Sequence, residues 1–389
     1  MVKRTNRFLF VMLALLGGIV IVLILTTLGA RSKGPLDNLL GIAGNAVSDL
    51  ENTLILEKRG DNRKDQLAWF QNYHTYPSLF SKSRPILLGV YDNQSAVSFD
   101  NIFKLEKSLN TNFLLIHIYA AWGSKPEQEF PEKQVRAIYT LGSVPVITWE
   151  PWLTDFDAEK FPNLKKPELR DKGGMADIAR GKYDSYIKEW ATKAKNMEHT
   201  IFIRFGHEMN DPYRYPWGPQ NNSAKDYVAA WQHIRHIFTS IGAKNILWIW
   251  SPHPSYGWFN EFYPGDDYVD WVGVNILNYG TVAIWSKWWT FREMFGAHYP
   301  ELAKFGKPIM ITEFGCLEVG GDRTTWFDQA FKSIPKEYPA VKALMFFHYS
   351  VDNTTTEQTV NWTILNDNKS MLTISRNIRN WPDSLKYPK

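Results

Sequence analysis

The chain has one cysteine, Cys316, in 389 residues. A single thiol rules out an internal disulfide and leaves the redox compartment open. A buried residue is the expected reading of Cys316, ahead of a reactive thiol, although it follows Glu313 by only three positions. Long basic blocks are also missing, and the formal charge is only +4. Part of that charge lies at the N-terminus in Lys3, Arg4, Arg7, Arg31 and Lys33, so nucleic acid is disfavoured as a partner. Neither G-x-G-x-x-G nor G-x-x-x-x-G-K-[ST] occurs, which removes the phosphate turns of dinucleotide and nucleotide sites. H-E-x-x-H and G-x-S-x-G are absent too, which weakens metalloprotease and serine-hydrolase readings. His233 and His236 have the spacing of a helix flank rather than a metal site. No internal repeat or low-complexity tract stands out.

Aromatic residues are plentiful. They make up 15% of the chain, with 17 tryptophans. An indole N–H needs a partner when buried, so such an excess points to surfaces that stack on flat ligands, sugar rings among them. Residues 8–25 are apolar or glycine without a charge, and positive residues precede them. This run is long enough to cross a bilayer and places the following chain outside the cytoplasm. A single-pass signal-anchor is expected over residues 1–30, bound to the membrane through residues 8–28. The rival reading is a cleaved signal that would release a secreted protein. Residues 31–84 are expected to form a stalk or cap.

From residue 85 to 389, short β-rich runs alternate with segments long enough for helices. The runs are 86–91, 113–119, 144–149, 201–205, 246–250, 271–276, 308–313 and 343–347. Eight such runs predict an α/β fold, a (β/α)8 TIM barrel, with a doubly wound open sheet as the alternative. In a barrel the residues that close each strand share one rim, where catalytic groups collect. That rim gathers Tyr91 and Asp92; His117, Tyr119 and Trp122; Trp149, Glu150 and Trp152; Arg204, His207, Glu208 and Asn210; Trp248, Trp250 and His253; Asn275, Asn278 and Tyr279; Glu313; and His348 and Tyr349.

Glu208 and Glu313, after the fourth strand and at the end of the seventh, would face each other across this rim. Two facing carboxylates suit glycoside hydrolysis: one protonates the leaving oxygen while the other attacks the anomeric carbon, with a separation of about 5–5.5 Å in a retaining enzyme. Arg204, two residues inside the end of the fourth strand, is the expected counter-charge that keeps Glu313 ionised. Two carboxylates and water suffice, so no metal and no organic cofactor is called for.

The motif R-F-G-H-E-M-N at residues 204–210, followed by Y-P-W-G at 215–218, resembles the acid/base motif of glycoside hydrolase family 26, the family of β-mannanases and some β-1,3-1,4-glucanases and β-1,3-xylanases. I-T-E-F-G at 311–315 is similar to its nucleophile motif. The resemblance runs through residues 85–380 in element order. It implies Glu208 as acid/base, Glu313 as nucleophile, His207 beside the sugar and Trp217 as a ring platform near the leaving group. Asn275 and Leu277 stand where the family commonly has Asp and a nucleophile-bonding Tyr, and His348 stands near the place of a Trp under the sugar. The expected substrate-binding set is therefore His207, Arg204, Trp217, Asn275, Tyr279, Trp122, Trp149, His117, His348 and Tyr349. The reading is a membrane-held endo-β-glycanase acting on a β-mannan, β-glucan or related exopolysaccharide. Its alternative is a lapsed hydrolase that serves as a polysaccharide-binding scaffold beside a membrane polysaccharide synthase.

Overall fold

The computed structural model describes Arg63, residues 65–356 and residues 358–388. These lie within one compact unit. The expected signal-anchor and most of the expected stalk fall outside the described residues. Among the described residues, no helix is long and apolar enough to cross a membrane.

Eight parallel strands close into a barrel in sequence order: β1 (Leu87–Asp92), β2 (Leu115–Ala121), β3 (Val144–Glu150), β4 (Ile201–Phe205), β5 (Ile246–Trp250), β6 (Trp271–Asn278), β7 (Ile309–Cys316) and β8 (Val341–His348). β8 pairs with β1, so the barrel has no open sheet edge and the doubly wound alternative is excluded. Helices α1 (Asp100–Leu109), α2 (Glu132–Thr140), α3 (Asp184–Lys195), α4 (Ala224–Ile241), α5 (Arg323–Glu337) and α6 (Asn368–Arg379) pack around it. The longest of these, α4, starts where Ser223 accepts the Asp226 N–H. It ends at Gly242, whose left-handed φ of 81° lets the chain turn away.

The strands are apolar on the face toward the helices and increasingly polar inside toward their C-terminal ends. On β3, Trp149 points outward, stacking on Trp190 of α3 at 4.4 Å, while the adjacent Thr148 is bonded to His117 inside the barrel. At the opposite end the interior is sealed by apolar residues, among them Leu87, Leu115, Val144, Phe202, Trp271 and Met345. Leu67, Phe70 and Phe80 belong to the same buried cluster, so the described part of the segment before β1 closes the barrel floor. Arg63 fastens that floor, donating to Glu106 at 2.8 Å, Phe113 O at 2.9 Å and Ser143 Oγ at 2.9 Å.

Two irregularities shape the opposite rim. Between β6 and β7 the pairing passes from Val274 with Ile311 to Asn275 with Glu313, leaving Thr312 as the extra residue. Such a bulge re-aims side chains. Here the Thr312 hydroxyl donates to Asn275 Oδ1 at 2.8 Å, and the next residue, Glu313, receives Arg204. After β4 the chain leaves the strand through Gly206 with φ 49°, and Glu208 itself takes φ 52°.

Candidate active site

Arg204 is the centre of the site and is fully buried. Its Nε donates to Thr148 Oγ1 at 2.7 Å. One terminal nitrogen donates to Asn275 Oδ1 at 2.7 Å and to Thr312 Oγ1 at 2.9 Å, and the other donates to Glu313 Oε1. A buried guanidinium needs both a counter-charge and acceptors for its fork of donors, and neighbouring strands supply them. Glu313 Oε1 also accepts from the Tyr119 hydroxyl at 2.7 Å. Burial first, and then the Glu313 charge, push the Tyr119 phenol well above its ordinary pKa, so it remains a donor.

Glu208 is 3% exposed and reaches the same network from the other side: Asn275 Nδ2 donates to its Oε1 at 3.0 Å. Asn275 therefore links the two carboxylates, bonding Glu208 through its amide nitrogen and Arg204 through its oxygen. A left-handed backbone at a residue other than glycine costs on the order of 1–2 kcal/mol. The turn is held by the Glu208 N–H on Ser251 O at 2.7 Å and by Asn210, whose amide nitrogen donates to His253 O and Gly257 O. Glu208 Oε2 has no hydrogen-bond partner among the described residues, though Arg214 stands 3.7 Å away.

His207 is buried. Its Nε2 meets the Tyr215 hydroxyl at 3.0 Å and its carbonyl accepts from Trp217 Nε1 at 2.8 Å. Burial first, then Arg204, Arg214 and His117, hold its pKa well below normal, so it is a neutral imidazole. Its Nδ1 faces Glu150 Oε1 at 3.9 Å.

Several expected sugar contacts are placed elsewhere. Trp122 and Trp149 are fully buried and pack on each other at 4.6 Å outside the barrel, among Tyr186, Trp190 and Phe205. They belong to the layer between sheet and helices, so neither contacts a ligand in the cleft. Trp217 is 1% exposed and stacked against Tyr215 at 4.7 Å and 11°. It backs the wall, and Tyr215 is the half-buried ring in front of it. His117 is fully buried under Tyr119; burial, then Arg204, keep it neutral. His117 Nε2 shares a 2.6 Å hydrogen bond with the Thr148 hydroxyl, which also accepts from Arg204, so His117 supports the network from below.

His348 pairs with Asp92, which is also within reach of Asn101 on α1. It thus ties β8 to β1 away from the cleft, where Phe347 stacks on Tyr91 at 5.2 Å. The Tyr279 hydroxyl is committed to Thr355 Oγ1 at 3.0 Å. Tyr349 is half-buried beside Tyr91 and Phe347 and fits a sugar-facing role.

Glu208, Asp211 and His253 offer ligand atoms within 4.8 Å of one another. Asp211 Oδ1 already accepts the Tyr213 N–H and His253 Nδ1 the Ser255 N–H, so the trio also serves the loop turns. Cys316 is buried, and burial pushes its thiol far up in pKa, which makes it an inert wall residue.

Residues 172–313 match the model of glycosyl hydrolase family 26, a stretch that holds both Glu208 and Glu313. Endoglucanase H of Acetivibrio thermocellus is 32% identical over 243 residues, covering 60% of this chain and 25% of that protein. A mannan endo-1,4-β-mannosidase of Bacillus subtilis is 29% identical over 138 residues, covering 34% of this chain and 35% of that one. Over residues 172–313 the chain is similar to glycosyl hydrolase family 26. Among solved structures, a family 26 β-mannanase of Bacteroides ovatus superposes with a TM-score of 0.56 at 16% identity, over 77% of this chain and 90% of that one, a likeness of fold. The matched stretches span only a quarter to about a third of the first two curated relatives.

Against the family 26 pattern, the missing tyrosine after β6 has a replacement. Leu277 cannot bond Glu313, and Tyr119 from β2 does so instead. The sequence places Tyr119 at a strand end, but no local motif assigns it this role. Tyr119→Phe keeps the ring and removes one bond to a charged group. It is expected to lower kcat about ten- to a hundredfold with little change in KM or melting temperature. Unchanged kcat would remove Tyr119 from the mechanism.

Glu150 is the second residue whose role the sequence leaves open. Its side chain is 16% exposed and accepts from Trp152 Nε1 at 3.0 Å. Burial raises its pKa to about 7, against the lowering by the Trp152 bond and by Arg204. The folded chain therefore keeps a proton on Glu150 that the unfolded chain has lost, and stability falls as pH rises from about 4.5 to about 7. Glu150→Gln should remove this slope, with an advantage over the native chain that grows across the window to at most about 3 kcal/mol. Thermal melts at both ends of the window test it, and parallel pH profiles for the two proteins would contradict it.

Proposed function

We propose that the chain is a retaining endo-β-glycanase that cleaves a β-linked polysaccharide by double displacement. The observation that carries this reading is the pair of buried glutamates at the ends of β4 and β7, joined through Asn275 and Arg204 yet given different surroundings. Glu313 receives the Arg204 and Tyr119 donors on one oxygen, which leaves the other to attack an anomeric carbon. Glu208 keeps one oxygen free of hydrogen bonds on a fixed turn, the setting of a group that hands a proton to the leaving glycosidic oxygen and later takes one from water. A lapsed scaffold would have no need for this network.

The names of the relatives, an endoglucanase and a mannan endo-1,4-β-mannosidase, support a β-glucan or β-mannan substrate. Half-buried Tyr91, Tyr119, Tyr215 and Tyr349 give the cleft aromatic walls for sugar rings. A screen of β-mannan, mixed-linkage β-glucan and β-xylan, with NMR of the first anomer released, tests the reading. Release of the β-anomer supports it. Release of the α-anomer would show inversion, and binding without cleavage would favour the scaffold.

The apolar run of residues 8–25, with Lys3, Arg4 and Arg7 before it, further supports a membrane-held enzyme whose barrel lies outside the cytoplasm. An intact N-terminus in the membrane fraction is the expected result. A mature chain starting near Ala30 in the soluble fraction would refute it.

A further inference from the structure

Beside Glu208 the cleft holds a cation that the two-glutamate chemistry leaves unused. Arg214, in the loop after β4, has a side chain that is 32% exposed. One terminal nitrogen lies 3.7 Å from Glu208 Oε2, and the other donates to Thr355 Oγ1 in the loop after β8. Its guanidinium sits 5.2 Å from the centre of the Tyr215 ring, and Trp217 backs that ring at 4.7 Å and 11°. Trp217, Tyr215 and Arg214 thus form a stack that holds a positive charge against the wall beside the reacting bond.

The charge balance around Arg214 changes during the reaction. When a glycan binds, Glu208 carries the proton that it must deliver and is neutral, so Arg214 loses its nearest negative partner. Glu313, the second carboxylate of the pair, is already bonded to Arg204 and Tyr119. Thr355 offers only a neutral oxygen, one that Tyr279 also uses. A bound neutral sugar would shield this cation from water without answering its charge, which is unfavourable. A negative group on the sugar would answer it and could take both terminal nitrogens at once.

We propose that Arg214 recognises an anionic substituent, a carboxylate or comparable acid group, on the sugar bound next to Glu208, so that the preferred substrate is an acidic β-glycan. The proposal rests on the assignment of Glu208 as acid/base. It commits to a charged group at one position of the cleft and leaves the backbone sugar to the screen above.

Binding isolates this step from catalysis. The full chain carrying Glu313→Gln is titrated by calorimetry with β-mannan and mixed-linkage β-glucan oligosaccharides. Each is used in its neutral form and with its primary hydroxyls oxidised to carboxylates. The oxidised form of at least one glycan is expected to bind about tenfold tighter or more, the worth of one charge-assisted contact. Adding Arg214→Gln should abolish the preference, Arg214→Lys should keep part of it, and added salt should shrink it. Equal affinity for the two forms, no binding of either, or a preference that survives Arg214→Gln would overturn the proposal. Cleavage of neutral glycan by the native chain, with no preference for the acidic form, would leave the hydrolase reading standing and remove this one.

Discussion

Glu313→Gln is expected to lower kcat by at least about ten-thousandfold on every substrate, because the amide cannot form the glycosyl-enzyme. Glu208→Gln should behave differently, and the contrast is more informative than either loss alone. On a polysaccharide, whose leaving alcohol needs a proton, removing the general acid should cost about a hundred- to ten-thousandfold. On an aryl glycoside with an acidic phenol as leaving group, the first step no longer needs that proton. The Glu208→Gln variant should then form its intermediate quickly and stall at hydrolysis, giving a burst, while Glu313→Gln stays inactive. Equal losses for both variants on both substrates would contradict the division of roles. Both substitutions are nearly isosteric, and in Glu313→Gln the new amide oxygen can still accept from Tyr119 and Arg204, so both proteins should fold.

The second large effect concerns stability rather than rate. Arg204 has no exposed atoms to speak of and bonds Thr148, Asn275, Thr312 and Glu313. Arg204→Met fills part of the space but strands Glu313 as a buried carboxylate beside three polar groups that have each lost a donor. Breaking a buried pair from one side costs about 3–5 kcal/mol. Denaturant unfolding should show a loss of this size for Arg204→Met, and the double variant Arg204→Met/Glu313→Gln should lose less than the sum of its parts. A loss under about 1 kcal/mol, the level of a surface ion pair, would mean that water reaches Arg204 and the network is not buried.

The strands were legible where a short β-rich run ends at a turn or a polar residue. The bounds of β4 and β5 match the runs at 201–205 and 246–250 because each is an unbroken buried segment ended by a turn or a polar residue. β6 and β7 extend beyond the expected ends, to Asn278 and Cys316, and the added residues include Asn278 and Gly315, which carry little strand propensity. Pairing inside a closed barrel overrides that local preference. The placement of Glu208 after β4 and of Glu313 on β7 was legible because each follows a strand-like run within a specific motif.

The rim was harder to read because adjacent residues at a strand end point to opposite sides. Trp149 and Glu150 are neighbours, and the aromatic residue faces the helices while the acid faces the cleft; at Phe347 and His348 the assignment is reversed. Polar alternation carried most of this information. His117 with Tyr119, Thr148 with Glu150, and Arg204 mark the inner face of three consecutive strands, which sends Trp149 and Phe205 outward. His348 breaks the pattern because its partner, Asp92, lies on the same outer side of the neighbouring strand. Tyr119 was hidden for a different reason. Its bond to Glu313 joins residues 194 positions apart and rests on no local motif.

In the proposed double displacement, Glu313 becomes covalently bound to sugar. The direct measurement is the intact mass of the protein after incubation with a 2-deoxy-2-fluoro β-glycoside of the preferred sugar, followed by peptide mapping. One added glycosyl residue is expected, carried on the peptide that contains Glu313 and absent from Glu313→Gln. Steady turnover of the natural substrate with no adduct, or an adduct on a different carboxylate, would contradict it.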